Sequence, residues 1–351
     1  MSIYKHHIAL LGGGTIGLSM AALHLRRPDT KVTIYDPRPN FEAEVQTTLP
    51  AYLNRPQIPT DNSTSSPSEP TKVPDIITNL LSTSRLTVAK TIQEAVQSAN
   101  IIQEQSPEIK TSKQALWKEV SLYADINAHL WSSSSGIAAS LQGSLCEPDI
   151  KERLLVAHPF NPPHIMPLIE IVPGPETLTE RVEFARSYFG DAPGPESNEG
   201  GYYRPVVLHK EIEGFVGNRL AFALLREACY LVGEGVVSVE DLDTLVMASL
   251  GPRWAGSGVF ESYHAGGGEG GIGAFLQKLA PTMKGVWSGL GQVDVSIDGD
   301  DATDEAWRGT VVKQSEAAYG PSASPESRQK KEVMLKGVVE MQKKCFMSMI
   351  Y

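Results

Sequence analysis

The chain has 351 residues, 41% hydrophobic and 21% charged, and its 31 basic against 41 acidic side chains give a formal charge of −10. That length corresponds to about two domains, with a core large enough to need no disulfide or metal support. The acidic balance argues against nucleic acid as a main partner, and no apolar run reaches the ~18 residues of a membrane span.

Cys146, Cys229 and Cys345 are odd in number and far apart, which is neither a disulfide framework nor a metal-ligand spacing. A reducing cytoplasm is the compartment they predict. Residues 7–11 (HIALL) read as a short buried strand, so early that no targeting segment is expected ahead of it. Residues 12–17 break that strand, and Ile16, Met20, Ala21 and Leu23 then recur at helical spacing. Residues 31–35 (KVTIY) form a second strand, closed by Asp36 and Pro37. Residues 55–74 hold five prolines and seven serines or threonines, which predicts an exposed, mobile loop. Alternation then resumes: a strand at 86–88, a helix at 92–98, a strand at 101–103, a helix at 113–123 and a strand end at 130–132. Two further strands follow at 154–156 and 168–172. This rhythm predicts a doubly wound, mainly parallel sheet.

Residues 191–203 (DAPGPESNEGGYY) form a loop near a domain boundary, and only helical patterns follow it. Val216, Leu220, Ala223, Leu224, Ala228 and Leu231 make one apolar stripe. Ser238 and Asp241 cap the next helix. Residues 266–273 (GGGEGGIG) read as a flexible turn, and Met334, Val338, Met341 and Cys345 stripe a terminal helix.

Gly12-Gly13-Gly14-Thr15-Ile16-Gly17 is a G-x-G-x-x-G placed after a strand and at the start of a helix. Gly12 permits the tight turn, Gly14 lets a pyrophosphate approach the backbone, and Gly17 lets the helix pack on the strand. The helix N-terminus offers free N–H groups to the phosphates. Asp36 follows Gly17 by 19 residues, where a carboxylate meets adenosine ribose hydroxyls and repels a 2′-phosphate. NAD is therefore favoured over NADP, with Arg38 close enough to soften the preference. The expected fold class is α/β: an N-terminal Rossmann-type domain over 1–203 and an all-helical C-terminal domain over 204–351. The helical domain is expected to contribute to the substrate cleft and to a dimer interface.

Residues 156–174 (VAHPFNPPHIMPLIEIVPG) are the richest stretch. His158 ends one apolar strand, Asn161 follows, and Glu170 is embedded in the next. A carboxylate in such a strand needs a partner, because burying it alone is costly. An imidazole beside it would have its tautomer fixed and could take a hydroxyl proton as hydride leaves carbon. The same spacing also suits a purely structural pair. Ser132–Ser135 lie at the end of a sheet strand, where ligands of doubly wound folds bind, although a polar loop reads the same way. Asn218 and Arg219 open an apolar helix and either reach a substrate or are simply solvated. Arg253 could clamp a carboxylate in bidentate fashion or serve a structural ion pair. No His, Cys and Asp cluster has metal spacing, so no metal is expected.

Taken together, LLGGGTIG, YDP, IIQEQSPE, SSSSG, VAHPFNPPHIMPLIEIVPGPET, KEIEGFVGNRLAFALLREACYLVGEGVVSVEDLD and LGPRWA resemble the 3-hydroxyacyl-CoA dehydrogenase family over roughly residues 5–280. The nearest branch is that of lambda-crystallin and L-gulonate 3-dehydrogenase, with carnitine 3-dehydrogenase nearby. The resemblance implies that His158 is the catalytic base and Glu170 its partner. It implies that Ser135 contacts substrate and that Asn161 and Asn218 are active-site asparagines, Asn161 on the cofactor side. It matches Thr15, Ile16 and Asp36 to cofactor contacts, and Glu108 and Lys113 to the acid and lysine beside the cofactor. It also implies a homodimer. One departure bears on substrate: the region after the second strand carries Arg55 and Lys72 against Glu42, Glu44, Asp61, Glu69 and Asp75, a poor clamp for CoA phosphates. The expected function is NAD-dependent chemistry at C3 of a small 3-hydroxy acid resembling L-gulonate or carnitine. The alternatives are a 3-hydroxyacyl-CoA dehydrogenase and a catalytically silent NAD-binding protein.

Overall fold

A computed structural model of the chain describes residues 4–53, 73–194, 201–293, 295 and 302–348. It divides into two compact units, Met1–Asn218 and Arg219–Tyr351. The first is built on one sheet. Strands β1 (His6–Leu11), β2 (Thr30–Tyr35), β3 (Leu86–Ala89), β4 (Ile101–Glu104), β5 (His129–Ser132), β6 (Leu154–Pro159), β7 (Leu168–Pro173) and β8 (Arg204–Val207) lie in the order β3-β2-β1-β4-β5-β6-β7-β8. Neighbours are parallel except β6 and β7, which are antiparallel. The mainly parallel, doubly wound expectation holds. β1 lies between β2 and β4, the point where the winding reverses and where such sheets bind ligands at the strands' carboxyl ends.

The helices of this unit are α1 (Thr15–Leu25), α2 (Phe41–Leu53), α3 (Val73–Ser82), α4 (Ile92–Val96), α5 (Lys110–Val120), α6 (Ala139–Gln142), α7 (Pro148–Lys151) and α8 (Thr179–Gly190). They cover both faces of the sheet. Leu10, Ile34, Ile101 and Ala157 pack with Met20 and Leu23 of α1 on one face. Ala9, Leu11, Ile102 and Val156 pack with Trp117 of α5 on the other. Burial on both sides explains why these strands read as apolar runs rather than as alternation.

Three expectations need correction. The boundary at 203/204 falls inside the first unit: β8 pairs in parallel with β7, so the chain returns to the sheet after residue 203 and leaves it only near Asn218. The exposed loop over 55–74 lies outside the described residues as far as 72, but Val73 already opens α3. The stretch after the second strand holds a helix that was not expected, α2, whose Phe41, Val45 and Leu49 recur every fourth residue and are buried. Of the loop over 191–203, residues 195–200 lie outside the described residues.

Every regular element among the described residues of the second unit is helical, as expected. Helix α9 (Gly217–Gly233) leads into it and is followed by α10 (Val239–Leu245), a π-helical turn (Val246–Leu250), α11 (Gly251–Gly256), α12 (Val259–Gly266), α13 (Gly271–Ser288), α14 (Ala302–Tyr319) and α15 (Pro325–Ser348). The glycine run expected as a turn joins α12 to α13 through one 3₁₀ turn at Gly268–Gly270, with Gly266 still in α12 and Gly271 already in α13. On α9, Cys229 and Val232 are buried, whereas Leu220 and Phe222 are 63% and 60% exposed.

His24, fully buried on α1, sits between the Tyr188 hydroxyl and Gln103 Oε1, at 2.8 Å from each. Burial, only partly offset by the Gln103 hydrogen bond, pushes its pKa down to about 4. The unfolded imidazole binds its proton near pH 6.5, so between those values the unfolded state takes up a proton that the folded state refuses. Stability therefore falls as the pH drops through that window. Urea unfolding at pH 7 and at pH 5 is expected to differ by about 2 kcal/mol on account of His24. The difference should shrink by that amount in His24→Asn, and an unchanged difference would refute the assignment.

Candidate active site

The strand-to-helix turn after β1 needs its glycines. Gly12 has φ +109°, a left-handed conformation, and a Cβ there would lie 2.7 Å from the Gln105 carbonyl oxygen. A Cβ on Gly17 would lie 2.0 Å from the Gly12 oxygen. Gly14 caps α1 without a side chain, and a Cβ on it would meet nothing within 4 Å, so the helix N-terminus faces open space. Thr15 and Ile16 form its first turn. A cavity of ≈ 620 Å³ lies over this turn, lined among others by Gly14, Thr15, Ile16, Asp36, Arg38 and Gln105. A helix N-terminus opening on such a space suits a pyrophosphate.

Asp36 ends β2 beside it. Its Oδ2 accepts from the Gly13 N–H at 2.8 Å and from Arg38 Nη2 at 3.1 Å. Its Oδ1 accepts from Arg38 N and Nε at 3.0 and 2.8 Å. Burial raises the carboxyl's pKa, but the Arg38 and Gly13 hydrogen bonds outweigh it and hold the group below the usual carboxylate range. All four lone-pair sites are taken, so a ribose hydroxyl must displace part of the Arg38 clasp. Arg38 also pairs with Glu44 at 2.9 Å, and is therefore no free cation for a 2′-phosphate.

The ends of β4 and β5 are tied together by two carboxylates and a lysine. Glu104 is 0% and Lys113 1% exposed, and they meet at 2.8 Å. Glu104 Oε1 also accepts from Ser106 N, and its Oε2 from the Ser132 hydroxyl at 2.7 Å. Glu108 lies 3.3 Å from Lys113 and accepts from the Ser134 hydroxyl and from the N–H groups of Ser135 and Gly136. Burial pushes Glu108 up, yet Ser134, Lys113 and Gly136 together pull it below its ordinary value. The family resemblance points to Glu108 and Lys113, and Ser132 stands in the serine run that the sequence singles out, but Glu104 was missed. The signal passed over was an acid at the end of an apolar strand, the same signal that marked Glu170.

The antiparallel register of β6 and β7 sets His158 directly across from Glu170. Directly opposed residues share a face, so imidazole and carboxylate meet, with Nδ1 2.8 Å from Oε2. Both are buried, and the ring packs against Phe160 and Phe215 at 4.7 and 5.7 Å. Glu170 Oε1 accepts the N–H groups of Val216 and Gly217 at 3.1 and 2.9 Å, capping the start of α9. Burial raises the Glu170 pKa, but His158 and these two N–H groups lower it further and keep it ionised. A buried carboxylate on Nδ1 leaves Nε2 as the nitrogen free to exchange a proton.

Asn218, one residue further on, donates its Nδ2 to the Ser135 carbonyl at 2.9 Å, which brings two of the expected residues together. The Ser135 side chain is exposed and its hydroxyl has no hydrogen bond among the described residues. Asn161 is exposed in the turn after β6. Arg253 lies in the second unit, exposed on α11.

Two family models match the chain: 3-hydroxyacyl-CoA dehydrogenase, NAD binding domain, over residues 7–192, and 3-hydroxyacyl-CoA dehydrogenase, C-terminal domain, over residues 214–285. An L-carnitine dehydrogenase of Mesorhizobium japonicum is 35% identical over 84% of this chain and 73% of its own length. A 3-hydroxyacyl-CoA dehydrogenase of Gibberella moniliformis is 34% identical over 79% of this chain and 78% of its own. Among solved structures, a 5-formyl-3-hydroxy-2-methylpyridine 4-carboxylic acid 5-dehydrogenase matches with a TM-score of 0.65 at 24% identity, covering 96% of this chain and 97% of the other, a likeness of fold. The chain is an NAD-dependent oxidoreductase acting on a CH–OH group. It belongs to the 3-hydroxyacyl-CoA dehydrogenase family.

Proposed function

We propose that the protein oxidises, and in reverse reduces, C3 of a small free 3-hydroxy acid of the carnitine type. The observation that carries this is the buried His158–Glu170 pair beside the open serine loop. NAD, when bound, supplies the hydride acceptor. His158 Nε2 takes the substrate hydroxyl proton as the alcohol becomes a ketone, and Glu170 stabilises the imidazolium that results. Ser135 presents its free hydroxyl to the reacting oxygen. Asn218 holds the Ser135 backbone in place. Asn161 lies on the cofactor side. Glu108 and Lys113 keep the serine loop against the end of β4.

The relatives named L-carnitine dehydrogenase support a free acid, as does the poor phosphate clamp after β2. The Gibberella relative favours a second reading, a 3-hydroxyacyl-CoA dehydrogenase. NADH formation over a panel of L-carnitine, L-gulonate and other free 3-hydroxy acids, set against 3-hydroxyacyl-CoA thioesters, separates the two. Turnover confined to thioesters establishes the second reading. No turnover despite tight NADH binding leaves a catalytically silent NAD-binding protein. We further read the exposed apolar face of α9 as the seat of a second copy. The three free cysteines fit a cytoplasmic enzyme.

A further inference from the structure

We propose that the side-chain amide of Gln105 is a binding contact for the dinucleotide, made to its pyrophosphate and to the ribose on the nicotinamide side. Gln105 is the first residue past β4. Its N–H donates to the Leu11 carbonyl at 2.8 Å, and its own carbonyl abuts Gly12. The backbone is thus pinned between the end of β1 and the glycine turn. Gln105 lines the same cavity as Gly14 and Thr15. Both amide atoms, Nε2 and Oε1, are buried and have no hydrogen-bond partner among the described residues. Oε1 lies 3.8 Å from where a Cβ on Gly17 would stand.

A buried amide with neither end paired is costly in the free protein, and such groups are rare outside functional sites. The amide offers a donor nitrogen with two N–H groups and an acceptor oxygen with two lone pairs. Turned out of its buried position toward a helix N-terminus that suits a pyrophosphate, the amide can donate from Nε2 to a phosphate oxygen and accept at Oε1 from a sugar hydroxyl. Strand order decides which sugar. Asp36 stands on β2, to one side of β1, and Gln105 at the end of β4, to the other. Asp36 faces the adenosine half, so Gln105 faces the nicotinamide half, the side on which His158 stands. The inference rests on the cofactor alone and is independent of which hydroxy acid is the substrate.

The test is Gln105→Met, which keeps the length of the side chain and removes both hydrogen bonds, with Gln105→Ala as a second variant should the first not fold. Calorimetry on the full chain gives Kd for NADH, ADP-ribose and AMP. Affinity for NADH and ADP-ribose is expected to fall about tenfold. AMP, which lacks the pyrophosphate and the second ribose, should bind as before. The melting temperature of the cofactor-free variant should be unchanged or higher, because an unpaired amide has been removed. Unchanged NADH affinity in a folded variant overturns the proposal. So does an equal loss for all three ligands, or a lowered melting temperature without a loss of NADH affinity, since either makes Gln105 a structural residue only.

Discussion

Replacing His158 with Gln is expected to lower kcat by about 10²–10⁴-fold while NADH affinity stays within about twofold of the wild type. Gln has an acceptor and a donor of its own, so it can still meet Glu170 Oε2 and fill much of the space between Phe160 and Phe215. What it cannot do is take up a proton near neutral pH. The loss should therefore appear in kcat and only weakly in the KM for substrate, because the missing interaction forms as the proton transfers. Steady-state kinetics together with NADH fluorescence titration measure both quantities. Near-wild-type turnover removes the proposed mechanism. A parallel collapse of NADH affinity instead makes the pair a scaffold of the cofactor site.

Lys113→Met is expected to be the most damaging substitution for the fold of the first unit. Lys113 is the one cation that the described structure sets between Glu104 and Glu108, and Glu104 has no access to water. Removing one partner of such a buried pair costs about 3–5 kcal/mol, because the other charge remains and cannot be solvated. Met fills the volume of the lysine stem, so packing contributes little to the loss. Denaturant unfolding measures the effect. The double variant Lys113→Met, Glu104→Gln should recover most of the stability, since a neutral amide at position 104 can accept from Ser106 with its oxygen and donate to the Ser132 hydroxyl with its nitrogen without carrying charge. A single variant as stable as the wild type would mean that the clasp is not a stabilising ion pair.

Much of this was legible in the chain itself, and what was not has a common cause. The glycine turn, Asp36 and the strands around them are local patterns: each residue's duty is set by neighbours within about 20 positions. His158 and Glu170 were suspect for the same reason, an ionisable group inside an apolar run. Their contact was open until the antiparallel register of β6 and β7 placed them opposite one another. Glu104 escaped because its partners, Ser132 and Lys113, come from other elements, and a lone acid at a strand's end reads as a solvated terminus. Strand β8 escaped because it is a four-residue edge strand containing Pro205, and proline is tolerated in a sheet only at such positions. Helix α2 has a local pattern of its own. Phe41, Val45 and Leu49 carry the helical period, but Pro50 near its end masked it.

The carboxylate at position 170 serves two unrelated purposes. One oxygen steadies the imidazole and the other seats the first N–H groups of α9. A descendant that had abandoned turnover would still be selected to keep an acid there, for the sake of the helix. The imidazole has that carboxylate as its hydrogen-bond partner and otherwise packs against Phe160 and Phe215. On the proposed mechanism, loss of the histidine with the acid retained is the signature of a related chain that keeps the helix and has given up turnover.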